Sequence, residues 1–203
     1  MEILLIIFII IIIILMYLFY SKTMYSDMTY VKSLIDNKYY LVRNQHDKQE
    51  AANMLSKIKQ YIILLSTDMY NNISKPENIK YKDYIKRLYD KSHDIIIVES
   101  TKNSMYTSYS VNKGEQIVFC LRTKSLDNTL HDLNLMMYVV LHEISHVACP
   151  IYDNHGPLFR EIFNFITLYA INLKIYTKIH FKSNPINYCG LLISDSIVWL
   201  RFN

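Results

Sequence analysis

The sequence predicts an α+β fold, a small β-sheet packed on one apolar helix and on the helices after it, preceded by an N-terminal transmembrane helix. Three observations predict it. Leu133, Met137, Val140, Leu141 and Ile144 recur at helical spacing and give a buried stripe on a helix over about 128–148. Just ahead of it, residues 95–98, 106–111 and 116–122 are rich in β-branched and aromatic side chains, and Asn112-Lys113-Gly114-Glu115 is a hairpin turn signal between the last two. At the other end of the chain, residues 3–20 run without a charge.

That apolar run reaches the length of about 18–20 residues that a helix needs to cross a bilayer. Glu2 precedes it and no small-residue cleavage site follows, so a retained anchor is expected over 1–22 rather than a removed signal peptide. Tyr17 and Tyr20 suit the interfacial belt. Lys22, Lys32 and Lys38 follow the span, and the positive-inside rule then puts the rest of the chain in the cytosol, as a single-pass protein of a virion or host membrane with the lipid bilayer as a partner. Three cysteines, Cys120, Cys149 and Cys189, are an odd and sparse set, which predicts buried thiols in a reducing compartment. A net charge of +4 without a block of five basic residues does not call for a nucleic-acid partner. Nothing in the sequence fixes an oligomeric state.

Residues 30–34 and 39–43 flank Asp36-Asn37 and predict a hairpin within a juxtamembrane arm, 23–45. The remaining residues, 46–203, are long enough for one domain with a core of its own. Asp47 with Glu50 three positions on reads as a capping box, opening a helix whose Ala51, Leu55, Ile58, Ile62, Leu65 and Met69 form its buried stripe. Residues 71–77, with Pro76, read as a loop before a short helix over about 81–91. After the helix ending near 148, Pro150 stops it, residues 149–156 form a loop, and Pro157 opens a helix to about 175 that buries Phe159, Ile162, Phe163 and Ile166.

Within the 128–148 helix lies His142-Glu143-Ile144-Ser145-His146. Histidines at i and i+4 stand one above the other on a helix face, so two imidazoles can converge on one metal ion. Glu143 between them is placed to take a proton from water as a general base. A catalytic zinc takes three protein ligands and keeps a fourth position open. His155 is the first candidate for the third ligand, with Asp153 and Glu161 as rivals. His180, alone among basic and aromatic neighbours, reads as an ordinary surface or core residue. Tyr152 and Tyr188 are candidate donors to a developing oxyanion among eighteen tyrosines.

The string His142-Glu143-x-x-His146-Val147-Ala148, a short loop, then His155-Gly156-Pro157-x-Phe159 resembles the SprT-like and WLM group of zinc metallopeptidases. The resemblance covers about 138–163. It implies a zincin-like domain over 46–203, Zn2+ held by His142, His146 and His155, Glu143 as catalytic base, and a protein or peptide substrate laid along an edge strand. Tyr40-Leu41-Val42-Arg43-Asn44, Asp47-Lys48-Gln49, Val118-Phe119-Cys120-Leu121-Arg122 and Tyr188-Cys189-Gly190 also resemble membrane-anchored metallopeptidase-like proteins of large DNA viruses. The chain has no C-x-x-C pair, so it departs from relatives that carry a zinc ribbon and act on DNA–protein crosslinks. The alternative expectation is an anchored structural or interaction protein that retains the zinc site without catalysis. A purely structural zinc, however, usually closes all four positions with protein ligands and has no use for Glu143.

Overall fold

The computed structural model describes residues 2–24, 27–150 and 155–197, with the side chains of the first helix described over 5–18. That helix, α1, spans Glu2–Met24. Among the described residues no helix is long and apolar enough to cross a membrane. This overturns the transmembrane helix expected at the N-terminus and the single-pass membrane placement drawn from it.

Beyond α1 the chain is a mixture of helices and short strands. Strands β1 (Met28–Lys32) and β2 (Tyr39–Arg43) pair antiparallel around a turn in which Asn37 takes φ 59°. Asn tolerates that left-handed conformation better than most residues. Tyr40 and Val42 of β2 are buried against helix α2 (Lys48–Asn71), the backbone of the core. The buried stripe of α2 contains Ala51, Ala52, Leu55, Ile58, Ile62, Leu65 and Met69. The small alanines near its start leave room for β2 to lie close.

The capping box expected at Asp47 does not form. Asp47 is the N-cap of α2 but its side chain caps no backbone amide. Its carboxylate instead accepts from the Arg122 guanidinium. A charge-assisted bond to a buried cation outweighs one cap bond of about 1 kcal/mol.

Residues after α2 turn into a single-turn helix, α3 (Pro76–Ile79), and then α4 (Lys82–Ser92). Lys59, buried on α2, donates to the carbonyls of Ser92, His93 and Ile95 at 2.9, 2.8 and 2.6 Å. It thereby satisfies acceptors that the end of α4 leaves open. Burial pulls the Lys59 ammonium down to about 8, while its three carbonyl acceptors favour keeping the proton.

The central sheet has the order β3-β5-β4, with β3 (Ile96–Glu99) parallel to β5 (Gln116–Phe119) and β4 (Tyr109–Val111) antiparallel to it. Ile117, Val118 and Phe119 of the middle strand are buried, as a strand covered on both faces requires. The turn joining β4 to β5 takes positive φ at Asn112, Lys113 and Gly114. Gly114 is needed twice over: its φ is +98°, and a Cβ there would lie 2.8 Å from both methyls of Val147.

Helix α5 (Leu133–Ala148) starts later than its apolar spacing suggests. Residues 122–131 fold back on β5, with Arg122 bridged to Leu130 and the His131 amide donating to the Leu121 carbonyl at 2.8 Å. Asp132 then caps the helix, accepting from the amides of Asn134 and Leu135 at 2.8 and 3.2 Å. Helix α6 (Pro157–Asn172) packs on α5 through Phe159, Ile162, Phe163 and Ile166. The described chain closes with a hairpin of β6 (Ile186–Tyr188) and β7 (Leu191–Ile193), turned by Cys189 and Gly190 at φ 51° and 86°.

Two cysteines depart from the expectation of buried thiols. Cys120, just after β5, and Cys189, in the β6–β7 turn, form a disulfide, while Cys149 stays outside that bond as a thiol. All three are buried. The pairing joins residues 69 apart in sequence, and it removes the basis on which a reducing compartment was read. Opening it with reductant, or by Cys189→Ser, is expected to lower unfolding stability by about 2–4 kcal/mol. Thermal melts with and without reductant measure this; coincident melts would show that the bond contributes nothing.

Candidate metal centre

The last two turns of α5 carry His142, Glu143 and His146, and the residue before the α6 entry carries His155. The three Nε2 atoms form a nearly equilateral triangle: 3.2 Å between His142 and His146, 3.1 Å between His146 and His155, and 3.0 Å between His142 and His155. Three nitrogens about 2.0–2.1 Å from one tetrahedral ion stand roughly 3.3 Å apart, so the triangle has the size a zinc ion requires. The donor set fits as well. Burial, aided by the neighbouring imidazoles, pulls His142 down to about 3, and burial with His155 pulls His146 down to about 4. His155 is lowered too, by burial and by Arg160. All three rings are therefore neutral near pH 7, with electron-rich nitrogens crowded at contact distance. A cation at their centre resolves that crowding.

Local structure accounts for the convergence. Helical spacing stacks His142 over His146. His155 reaches them from a backbone with φ 70°, a left-handed conformation that costs a β-carbon-bearing residue free energy and clusters at functional sites. Arg160 Nε holds that turn by donating to the His155 carbonyl at 2.9 Å, and Pro157 occupies the first turn of α6, where its missing amide is harmless. Phe159 supports all three rings: it stacks on His146 with centroids 4.2 Å apart and meets His142 and His155 edgewise at 5.0 and 4.9 Å. Sequence reasoning assigned Phe159 only to a buried helix face; the signal for its second role was the Gly-Pro-x-Phe string.

Glu143 is 5% exposed, and burial pushes its carboxyl up to about 8. It opens with the histidines onto a cavity of about 640 Å3. The cavity lining includes Thr107 to Ser110 around β4, and Tyr188 with the segment from Leu191 to Asp195. In the sheet order, β4 is an edge strand whose partner is β5. The β6–β7 hairpin was not foreseen, because strands of three residues leave too little periodicity to read. Its signal was the Cys189-Gly190 turn between two apolar triplets.

The rivals for the third ligand are placed differently. Glu161 forms an ion pair with Lys80, and His180 is exposed and does not line the cavity. Asp153 and Tyr152 lie outside the described residues.

Comparisons with known proteins add relatives. No protein-family model matches the chain. It is 41% identical over 180 residues to uncharacterized protein R325 of Acanthamoeba polyphaga mimivirus, covering 89% of each chain. It is 28% identical over 180 residues to uncharacterized protein 136R of Invertebrate iridescent virus 6, covering 82% of this chain and 99% of the relative. Among solved structures, Wss1 from Saccharomyces cerevisiae matches with a TM-score of 0.35 and 18% identity, over 50% of this chain and 85% of that one. A likeness at that level carries neither fold nor function across.

Proposed function

The chain belongs to the family of uncharacterized protein R325 of the mimivirus, and we propose that it is a zinc-dependent peptidase in which His142, His146 and His155 hold the metal and Glu143 is the general base. The observation that carries this reading is the 3.0–3.2 Å triangle of imidazole nitrogens beside a buried carboxylate in an open cavity. When bound, zinc supplies Lewis-acid polarisation of a carbonyl and makes water a nucleophile at neutral pH.

The chain's own groups do the rest. The three neutral imidazoles give three donors and leave a fourth position facing the cavity. Glu143, between two ligands on the same helix, accepts the proton of the attacking water and passes it to the leaving amine. Its burial raises the carboxyl's proton affinity, which suits a group that must hold a proton and then release it. The outer edge of β4 supplies backbone donors and acceptors for an extended peptide, which would add as a further strand.

Zinc analysis and proteolysis test the reading together. The purified chain is expected to hold one zinc per molecule and to cleave fluorescein-labelled casein, with cleavage abolished by chelation and restored by zinc. His155→Ala is expected to lose most of its zinc. A wild-type chain that holds zinc but leaves casein and peptide libraries intact would overturn the catalytic reading, and full zinc retention by His155→Ala would remove His155 from the ligand set.

A further inference from the structure

The geometry points to Tyr188 as the side chain that donates a hydrogen bond to the oxyanion of the scissile carbonyl, with Ser108 as its positioning residue. This rests on the peptidase reading above and assigns a further catalytic residue to the same site. Tyr188 is 2% exposed and lines the same cavity as the three histidines and Glu143. Its ring is held on three sides. It packs 5.0 Å from the His131 ring, the next residue is cross-linked to Cys120, and its hydroxyl lies 2.6 Å from Ser108 Oγ.

Ser108 Oγ accepts from the Cys120 amide at 3.1 Å. Either hydroxyl can donate across the 2.6 Å contact, and in the proposed arrangement the Ser108 proton goes to the Tyr188 oxygen and leaves the Tyr188 proton for the cavity. In that arrangement the chain Cys120 N–H, Ser108 O–H, Tyr188 O–H is polarised in one direction, which makes the last member a stronger donor. Burial holds the phenol above its ordinary value, and the nearby Glu143 carboxylate adds to that rise. Burial thus favours the neutral, proton-bearing phenol.

Two other donors in the cavity lining, Lys113 and Asn112, have acceptors, while Ser110 Oγ, also in the lining, is buried with no hydrogen-bond partner among the described residues. Lys113 Nζ donates to the Pro150 carbonyl at 2.6 Å, and Asn112 Nδ2 to Glu115 at 2.7 Å. The Tyr138 hydroxyl accepts from the Ile197 amide at 3.2 Å, with its ring set among Phe163, Tyr176 and Phe181. A preorganised donor costs no reorganisation when charge develops, and the loss of one such donor lowers turnover by about 10²–10³-fold.

The test uses the zinc-loaded full chain, labelled casein, and two inhibitors: an N-phosphoryl-Leu-Phe dipeptide, which mimics the tetrahedral oxyanion, and acetohydroxamate, which does not. Tyr188→Phe is expected to lower kcat on casein about 100-fold with KM within twofold. By calorimetry it is expected to bind the phosphoryl dipeptide at least tenfold more weakly, with acetohydroxamate affinity and zinc content unchanged. Ser108→Ala is expected to lower kcat about tenfold with KM unchanged, and Ser108→Thr to restore it. It also serves as the deciding variant if Tyr188→Phe does not fold. Unchanged kcat and phosphoryl-dipeptide affinity in either variant would overturn the assignment while leaving the peptidase reading intact. Equal losses for both inhibitors, or loss of zinc, would make Tyr188 a structural residue. A wild-type chain that cleaves nothing would instead remove the peptidase reading itself.

Discussion

Glu143→Gln is expected to leave one zinc per chain and to reduce casein cleavage by about 10²–10⁴-fold, the range that removal of a general base commands. The exchange is nearly isosteric, so the helix and the imidazole triangle stay as they are. Among the described residues Glu143 makes no hydrogen bond to the three imidazoles: their Nε2 atoms meet one another, and Phe159 packs against the rings. An amide cannot accept the proton that the carboxylate accepts. Because Glu143 is buried, the amide also removes a charge that was costly to desolvate, so the variant is expected to melt at or above the wild-type temperature. Loss of activity without loss of stability or metal is the combination that identifies a base. A variant as active as wild type would rule Glu143 out of that role.

The largest effect on stability is expected at Arg122. It is 2% exposed and joins three parts of the chain. Its Nε donates to Glu99 at the end of β3 at 2.7 Å, and its Nη1 donates to Asp47 at the start of α2. The other oxygen of Glu99 accepts from the Arg43 amide of β2 at 2.7 Å. Arg122→Met leaves the buried Glu99 carboxylate and the part-buried Asp47 without the Arg122 cation, and is expected to cost about 3–5 kcal/mol, read as a shift in the urea midpoint.

The pH dependence of that loss has a definite sign. Burial raises the Glu99 carboxyl above its ordinary value, and Arg122 works against the rise. Without Arg122 the folded-state value climbs further. The folded protein then binds the Glu99 proton more tightly than the unfolded chain does, so this stability is present below about pH 4.3 and is lost as pH rises through the folded value. The variant's deficit is therefore expected to be smaller at pH 5 than at pH 7.5, and Glu99→Gln in the same chain should recover part of it. A deficit independent of pH would mean that Glu99 is not the source.

How much of this could be read from the residues divides along physical lines. The placement of His142 and His146 on one face follows from a period of 3.6 residues, a local property that any sequence displays. The hairpins around Asn37 and Gly114 were legible for the same reason, since their turns need residues that accept positive φ. His155 was legible through its place at the mouth of the next helix and the spacing it shares with a family pattern, not through helical period, because it lies beyond the end of α5. Contacts between distant segments left no mark. The Cys120–Cys189 bond, the Asp47–Arg122 pair in place of a capping box, and the late start of α5 all depend on which segments meet in space. The expectation of a membrane span was read from hydropathy over residues 3–20, and among the described residues no helix is long and apolar enough to cross a membrane.

Gly114 sets how closely the β4–β5 turn approaches α5. Its missing side chain lets the β4–β5 turn rest on the methyls of Val147, one residue beyond His146. The β4–β5 turn is thereby seated directly on the helix that bears the imidazoles. A larger side chain at 114 would push that turn away from α5 and shift the β4 lining of the cavity relative to His146.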